Sequence, residues 1–199
     1  MRVVSPFLKL ILRVTLVVCL LFLFGAITVF AASADKVDFP FGSPHGGPNG
    51  EGYTQSGFDF LTFIKIGSIW QYHTGEDWNR KGTSGNGDLG DPVYSSANGV
   101  VTYSRNVGGC HGNAVLVKHT APPGTSFTLP DGRKVGTVWT NYIHLNSRTV
   151  GVGATVTRGQ KIGTIGTGNG CFVAHLHWEV RYVDTPENFS PWGKSKGTI

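Results

Sequence analysis

The chain has 199 residues, 40% hydrophobic and 15% charged, a composition that excludes wholesale disorder and suits one domain with a sizeable core. Its 29 glycines and 12% aromatic residues favour a β-rich fold with many tight turns. The net charge of +5 includes Arg2, Lys9 and Arg13; without them 14 basic residues face 12 acidic ones, and no basic stripe argues for a nucleic-acid partner.

Those three cations precede an apolar run from Val14 to Ala32, closed by Ala32-Ser33-Ala34. A positive region, a hydrophobic region and small residues stand in the order of a secretory signal. The run is also long enough to span a bilayer. Residues 1–34 therefore read as a signal peptide or a retained N-terminal anchor, with membrane contact expected only through residues 14–32 if they stay uncleaved. Either way the domain is exported, to a secreted, periplasmic or cell-envelope location.

Residues 35–69, with Pro40, Pro44 and Pro48 among glycines, read as an irregular lead-in. Short strands separated by turn signals follow. Pro92–Tyr94 leads through the Ala97-Asn98-Gly99 turn to Val100–Tyr103. Ala114–His119 alternates, with Val115, Val117 and His119 on one face. Pro122-Pro123-Gly124 and Pro130-Asp131-Gly132 bracket a loop or hairpin, and Val135–Leu145 and Ala174–Val183 read as further strands. No sustained helical periodicity appears after Ala34. The expectation is an all-β or nearly all-β domain over residues 70–185, an antiparallel sheet or sandwich, with a short tail at 186–199.

Cys19 lies in the apolar run, which leaves Cys110 and Cys171 in the exported part. Two cysteines in an oxidising compartment suggest one disulfide, against the alternative of two buried thiols. A Cys110–Cys171 bridge would tie the loop before the last strand to a neighbouring turn.

Within that last strand, "CFVAHLHWEV" puts His175, His177 and Glu179 on one face, since side chains alternate along an extended chain. Zinc is held by imidazole nitrogen and carboxylate oxygen, with three protein ligands in a catalytic site. Histidine pairs at this spacing also arise on surfaces by accident. No histidine follows His177, which excludes a carbonic anhydrase-like site, and the chain is too short beyond it for a cupin-like one. Any further ligands must come from upstream. There "YHTGEDW" sets His73 and Asp77 four residues apart around Gly75, a turn that can fold both side chains toward one ion or equally sit on the surface.

The three motifs H-x-x-x-D, Y-x-H-L (Tyr142 to Leu145) and H-L-H-W-E occur in this order. Between them stand "GDPVYSSANGVVTYS", "GNAVLVKH" and "VTRGQKIGTIGTGNG". Together they resemble the lysostaphin-type (LytM-like) zinc metallopeptidases of bacterial cell walls, over about residues 70–183. The resemblance implies one zinc ion per chain on His73, Asp77 and His177, with His175 and His144 as the unliganded catalytic pair. It implies an exported endopeptidase that cuts peptide bonds in peptidoglycan stem peptides or cross-bridges through a metal-activated water assisted by these two histidines. His175 is expected mainly as base and His144 mainly as transition-state stabiliser, roles that can be exchanged.

Some members of that family lose these groups and act as scaffolds or activators, whereas all five are present here. A non-catalytic wall-binding or activating domain, and a secreted zinc peptidase acting on soluble proteins, are the alternatives. The substrate groove is expected between loops 79–90, 121–134 and 166–173. Glu179 either contacts a ligand ring or forms a solvent-facing salt bridge. His119 reads as structural, His45 and His111 as surface residues, and Asp88 and Asp91 as turn caps. Trp78, Trp139 and Trp178 read as core more than groove.

Overall fold

Alternating apolar and polar residues between Gly, Pro and Asn turns produce short antiparallel strands, which close on one another through a shared core. The structure, a computed structural model, describes residues 32–41, 52–55, 57–66 and 68–182. The apolar run up to Phe30, His45 and the tail at 186–199 fall outside the described residues. Among the described residues no helix is long and apolar enough to cross a membrane.

In chain order the strands are β1 (Tyr53–Gln55), β2 (Phe63–Ile66), β3 (Ile69–Tyr72), β4 (Glu76–Arg80), β5 (Pro92–Tyr94), β6 (Gly99–Asn106) and β7 (Asn113–Thr120). They continue as β8 (Phe127–Thr128), β9 (Lys134–Val135), β10 (Thr137–Leu145), β11 (Ser147–Arg148), β12 (Thr155–Val156), β13 (Lys161–Thr164) and β14 (Leu176–Arg181). One 3-10 turn, Gly109–His111, interrupts them. The main sheet has the order β1-β4-β14-β10-β7-β6-β12, and a smaller one the order β11-β13-β5. The nearly all-β, antiparallel expectation holds.

Val93 and Ile162 from the small sheet meet Val115, Val117, Tyr142, Val156 and Leu176 from the main one in a shared core. The opposite face of the main sheet buries Ala114, Leu116 and Ile143. Central strands covered on both faces read as continuous apolar runs, as "AVLV" in β7 does.

The described parts of the segment from 35 to 69, expected to be an irregular lead-in, contribute to this architecture. Phe41 is fully buried in the main core, its ring 4.7 Å from that of Tyr53 and 4.8 Å from that of Trp78. Burial of such a side chain stabilises by roughly 1.5–3 kcal/mol. β1 pairs with β4 at the edge of the main sheet, and β2–β3 form a hairpin beside it in sequence. Three short segments hidden among glycines and prolines carry too few residues for alternation to register.

His119 is structural, as expected. It is fully buried, with Nδ1–H donating to the Asn98 carbonyl at 2.9 Å and Nε2 lying 2.7 Å from Thr140 Oγ1. Burial pushes its pKa down to about 4, despite the Asn98 hydrogen bond. The folded state therefore refuses a proton that the unfolded state accepts below about pH 6.5, so this contribution is full above that pH and lost on acidification. The loss between about pH 6.5 and 4 amounts to about 3 kcal/mol. Melting curves in chelator should show a flatter acid dependence for His119→Asn than for the parent; parallel curves would contradict the assignment.

Candidate metal centre

β14 pairs with β4 so that His177 stands directly opposite Asp77, and with β10 so that it stands opposite Ile143. His73 enters from the end of β3, where its backbone N–H donates to Thr62 and its carbonyl accepts from Leu61. Two segments about a hundred residues apart, the 73–77 turn and β14, thus deliver His73 Nε2, Asp77 Oδ1 and His177 Nδ1 to one point. His73 Nε2 lies 2.9 Å from His177 Nδ1, and Asp77 Oδ1 lies 3.0 Å from His177 Nδ1 and 3.3 Å from His73 Nε2. These residues form the group of donors able to hold a metal ion among the described residues.

The remaining ring nitrogens define which lone pairs are presented. His73 Nδ1 is 3.2 Å from the Asp59 carbonyl, which can only accept, so it carries the proton and Nε2 the lone pair. His177 Nε2 is 2.9 Å from Glu179 Oε1, which likewise makes it a donor. Glu179 also accepts from Thr74 Oγ1 at 2.7 Å and pairs with the buried Arg181 guanidinium. The solvent-facing salt bridge is thereby excluded: Glu179 is 2% exposed and holds the ring of His177.

Gly75 makes this approach feasible. A Cβ there would stand 2.6 Å from Glu179 Cγ and 2.7 Å from His177 Nε2.

The electrostatics match a cation. Burial would raise the pKa of Asp77, but hydrogen bonds from His177 and His73 outweigh it and hold the carboxyl well below the usual range. Burial would lower that of His177, yet Asp77 and Glu179 carry it up to about 9. Both shifts favour positive charge where the three donor atoms converge. Two imidazole nitrogens and one carboxylate oxygen, with both tautomers set by acceptors behind them, suit a divalent ion of the zinc type there.

Alternation puts Tyr142 in the main core and Ile143 on the opposite face. His144 should then return to the core, but the β10–β7 register shifts between Tyr142 and Leu145, and His144 adopts φ 65°. This bulge keeps His144 on the face of Ile143 and sends Leu145 into the core. The His144 ring centroid consequently lies 4.8 Å from that of His175 and 5.8 Å from that of His177. Its Nδ1–H donates to the His111 carbonyl at 3.2 Å, which leaves Nε2 as acceptor. Burial, then the neighbouring His175 and His177 charges, pushes its pKa well down. His175 Nδ1–H donates to the Val173 carbonyl at 2.8 Å, and its Nε2 lies 3.6 Å from Asp77 Oδ1.

His73, Asp77, His144 and His175 line one cavity of about 620 Å³, with His177 fully buried. Its rim comes from Thr54, Gly57 and Phe58 and from 82–85 and 171–175. Of the expected walls, 121–134 does not contribute, because β8–β9 fold it into a separate hairpin. Trp78 and Trp178 pack on Phe39, and Trp139 joins the smaller apolar cluster. Asp88 is buried and accepts from Asn79 Nδ2 and the Arg80 N–H, which ties its turn to β4 rather than capping it, and Asp91 accepts from Tyr53 and pairs with Arg80. His111, read as a surface residue, contributes its carbonyl to His144; backbone acceptors leave no mark in side-chain identity. The Cys110–Cys171 disulfide is formed.

Residues 72–189 match the family described as peptidase family M23. The cell division protein DipM of Caulobacter vibrioides is 38% identical over 97 residues, 48% of this chain and 13% of that protein. The peptidoglycan DD-endopeptidase ShyC of Vibrio cholerae is 31% identical over 135 residues, 63% of this chain and 28% of that one. The chain thus spans less than a third of either relative. A chain of the SpoIIQ–SpoIIIAH pore-forming complex shares the fold, with a TM-score of 0.52 at 21% identity, covering 79% of this chain and 92% of that one.

Proposed function

The chain belongs to peptidase family M23, and on that premise we propose that it is an exported zinc-dependent endopeptidase of peptidoglycan stem peptides or cross-bridges. The observation that carries this reading is the gathering of His73, Asp77, His144, His175 and His177 around one cavity. The description of ShyC as a peptidoglycan DD-endopeptidase supports the substrate class. Export is supported by the disulfide, which persists in oxidising compartments.

A zinc ion held by His73, Asp77 and His177 supplies Lewis acidity and an acidified water. His144, kept neutral by burial and committed through Nδ1–H to the His111 carbonyl, offers Nε2 to accept a proton. His175, its side chain 15% exposed, stands at the open side of the cavity, where Nε2 is placed to donate to the oxyanion or the leaving amine. This exchanges the emphasis expected from the resemblance, and the deeper burial of His144 is the reason. Glu179 and the Asp59 carbonyl keep the ligand rings in the tautomers that face the ion.

The test is purification followed by metal analysis and digestion of isolated peptidoglycan. About one zinc per chain is expected, with new amino termini in the digest, loss of cleavage in chelator and return on adding zinc. A glycine-rich soluble protein assayed in parallel separates a wall substrate from a general one. Chelator-resistant cleavage would end the metallopeptidase reading.

A further inference from the structure

His144 occupies an unusual place. Its backbone sits at φ 65° in a bulge, a conformation that side-chain-bearing residues adopt only when their surroundings impose it. The imposing contacts come from two loops. One is the 3-10 turn Gly109–His111, whose last carbonyl accepts from His144 Nδ1. The other is 166–173, where Gly168 N–H donates to the His144 carbonyl at 3.4 Å and the Phe172 ring lies 4.9 Å from the imidazole.

These loops are fastened to each other beside His144. Asn169 Nδ2 donates to the Gly109 carbonyl at 2.8 Å and to Asn106 Oδ1 at 3.3 Å. The Cys110–Cys171 disulfide bonds them covalently, joining the residue before His111 to the residue before Phe172. The fit is close: a Cβ on Gly168 would stand 2.3 Å from the Cys110 carbonyl oxygen and 3.0 Å from His144 Nδ1.

We infer that the Cys110–Cys171 disulfide is a positioning element for His144, holding the His111 carbonyl on Nδ1 and the Phe172 ring on the imidazole so that Nε2 faces the cavity. The inference rests on the peptidase reading for its consequence in turnover, though not for its geometry. Reduction by a phosphine takes two electrons from phosphorus and two protons from water, whose oxygen leaves in the phosphine oxide; it leaves two thiols and frees the turn from the loop. Without that tie the imidazole samples both tautomers and other rotamers. The metal ligands, carried by β3, β4 and β14, stay in place.

Cys110→Ser/Cys171→Ser and phosphine-reduced parent protein should keep the zinc content and KM of the parent, while kcat falls about 10- to 100-fold, the usual cost of misplacing a reacting group by an ångström. Reoxidation of the reduced parent should restore it. Gly168→Ala, which keeps the disulfide but forces the loops apart, should lower kcat in the same way. Nitrogen chemical shifts of the His144 imidazole should report one tautomer, with Nδ1 protonated, in the parent and a mixture in the reduced protein.

A single unchanged tautomer after reduction, with kcat within about twofold of the parent, would overturn the inference. An inactive parent with the tautomer change would count against the peptidase reading and still support the hold on His144.

Discussion

The His177→Ala protein should hold no stoichiometric zinc and lose peptidoglycan cleavage by more than about 10³-fold, since Lewis-acid stabilisation is worth several kcal/mol and each 1.36 kcal/mol is tenfold in rate. His177 is the central donor: Nδ1 lies 2.9 Å from His73 Nε2 and 3.0 Å from Asp77 Oδ1. Without it one nitrogen and one carboxylate oxygen remain, short of the three protein ligands a catalytic zinc site uses. The fold should survive, because β14 keeps its backbone pairing with β4 and β10 and Leu176 keeps the core. Circular dichroism checks that point and metal analysis reads the loss.

His175→Ala offers the contrast that separates an enzyme from a wall-binding domain. It should keep zinc while cleavage drops about 10²- to 10⁴-fold, the span expected for a positioned acid or base. Wall binding alone would be indifferent to it. Full activity in the His177→Ala protein would overturn the metallopeptidase reading outright.

Glu179 is the residue on which site and stability meet. Its carboxylate accepts from His177 Nε2–H and Thr74 Oγ1–H, and it pairs with an Arg181 that is fully buried. Burial would raise its pKa, but the His177 hydrogen bond and the Arg181 charge bring it down to about 2. Its folded pKa being depressed, the stabilisation is present above the ordinary carboxyl value near 4.5 and lost as the pH falls toward 2.

Glu179→Ala removes that carboxylate and leaves Arg181 buried without it, a change that costs about 3–5 kcal/mol of stability. Glu179→Gln keeps the shape and an oxygen for Thr74 but loses the charge. It should fold and bind zinc about 10- to 100-fold more weakly, as removal of a ligand's orienting partner does. Denaturation of the first variant and competitive zinc titration of the second read these effects separately. Parent-like zinc affinity in Glu179→Gln would show that Thr74, Asn141 (whose Nδ2 donates to Glu179 Oε2 at 3.4 Å) and the strand geometry orient His177 without the carboxylate's charge.

Some of this was legible in the chain. Alternation in "AVLVKH" and "HLHWEV" reports strands because the pleat has a period of two, and His177 and Glu179 do share a face. Length, glycine content and the absence of helical periodicity were enough for a nearly all-β domain. The resemblance carried by the ordered motifs H-x-x-x-D, Y-x-H-L and H-L-H-W-E implied His73, Asp77 and His177, whose donor atoms the fold brings within 3.3 Å of one another.

Other features depended on contacts that no local pattern encodes. Strict alternation sends His144 into the core, and only the register shift against β7 turns it to the cavity. Phe41 sits in a proline- and glycine-rich stretch, yet the aromatic rings of Tyr53 and Trp78 close around it. The role of His111 resides in a backbone carbonyl that any residue would carry.

The sequence by itself determined the strand class, because periodicity is a local property, and through its resemblance to the cell-wall metallopeptidases it implied the five side chains that gather at the cavity. Which tautomer each histidine presents, which loops border the cavity and how His144 reaches it were decided by tertiary structure. Those depend on register and on acceptors supplied by segments far away in the chain, down to the Asp59 carbonyl behind His73 and the Glu179 carboxylate behind His177.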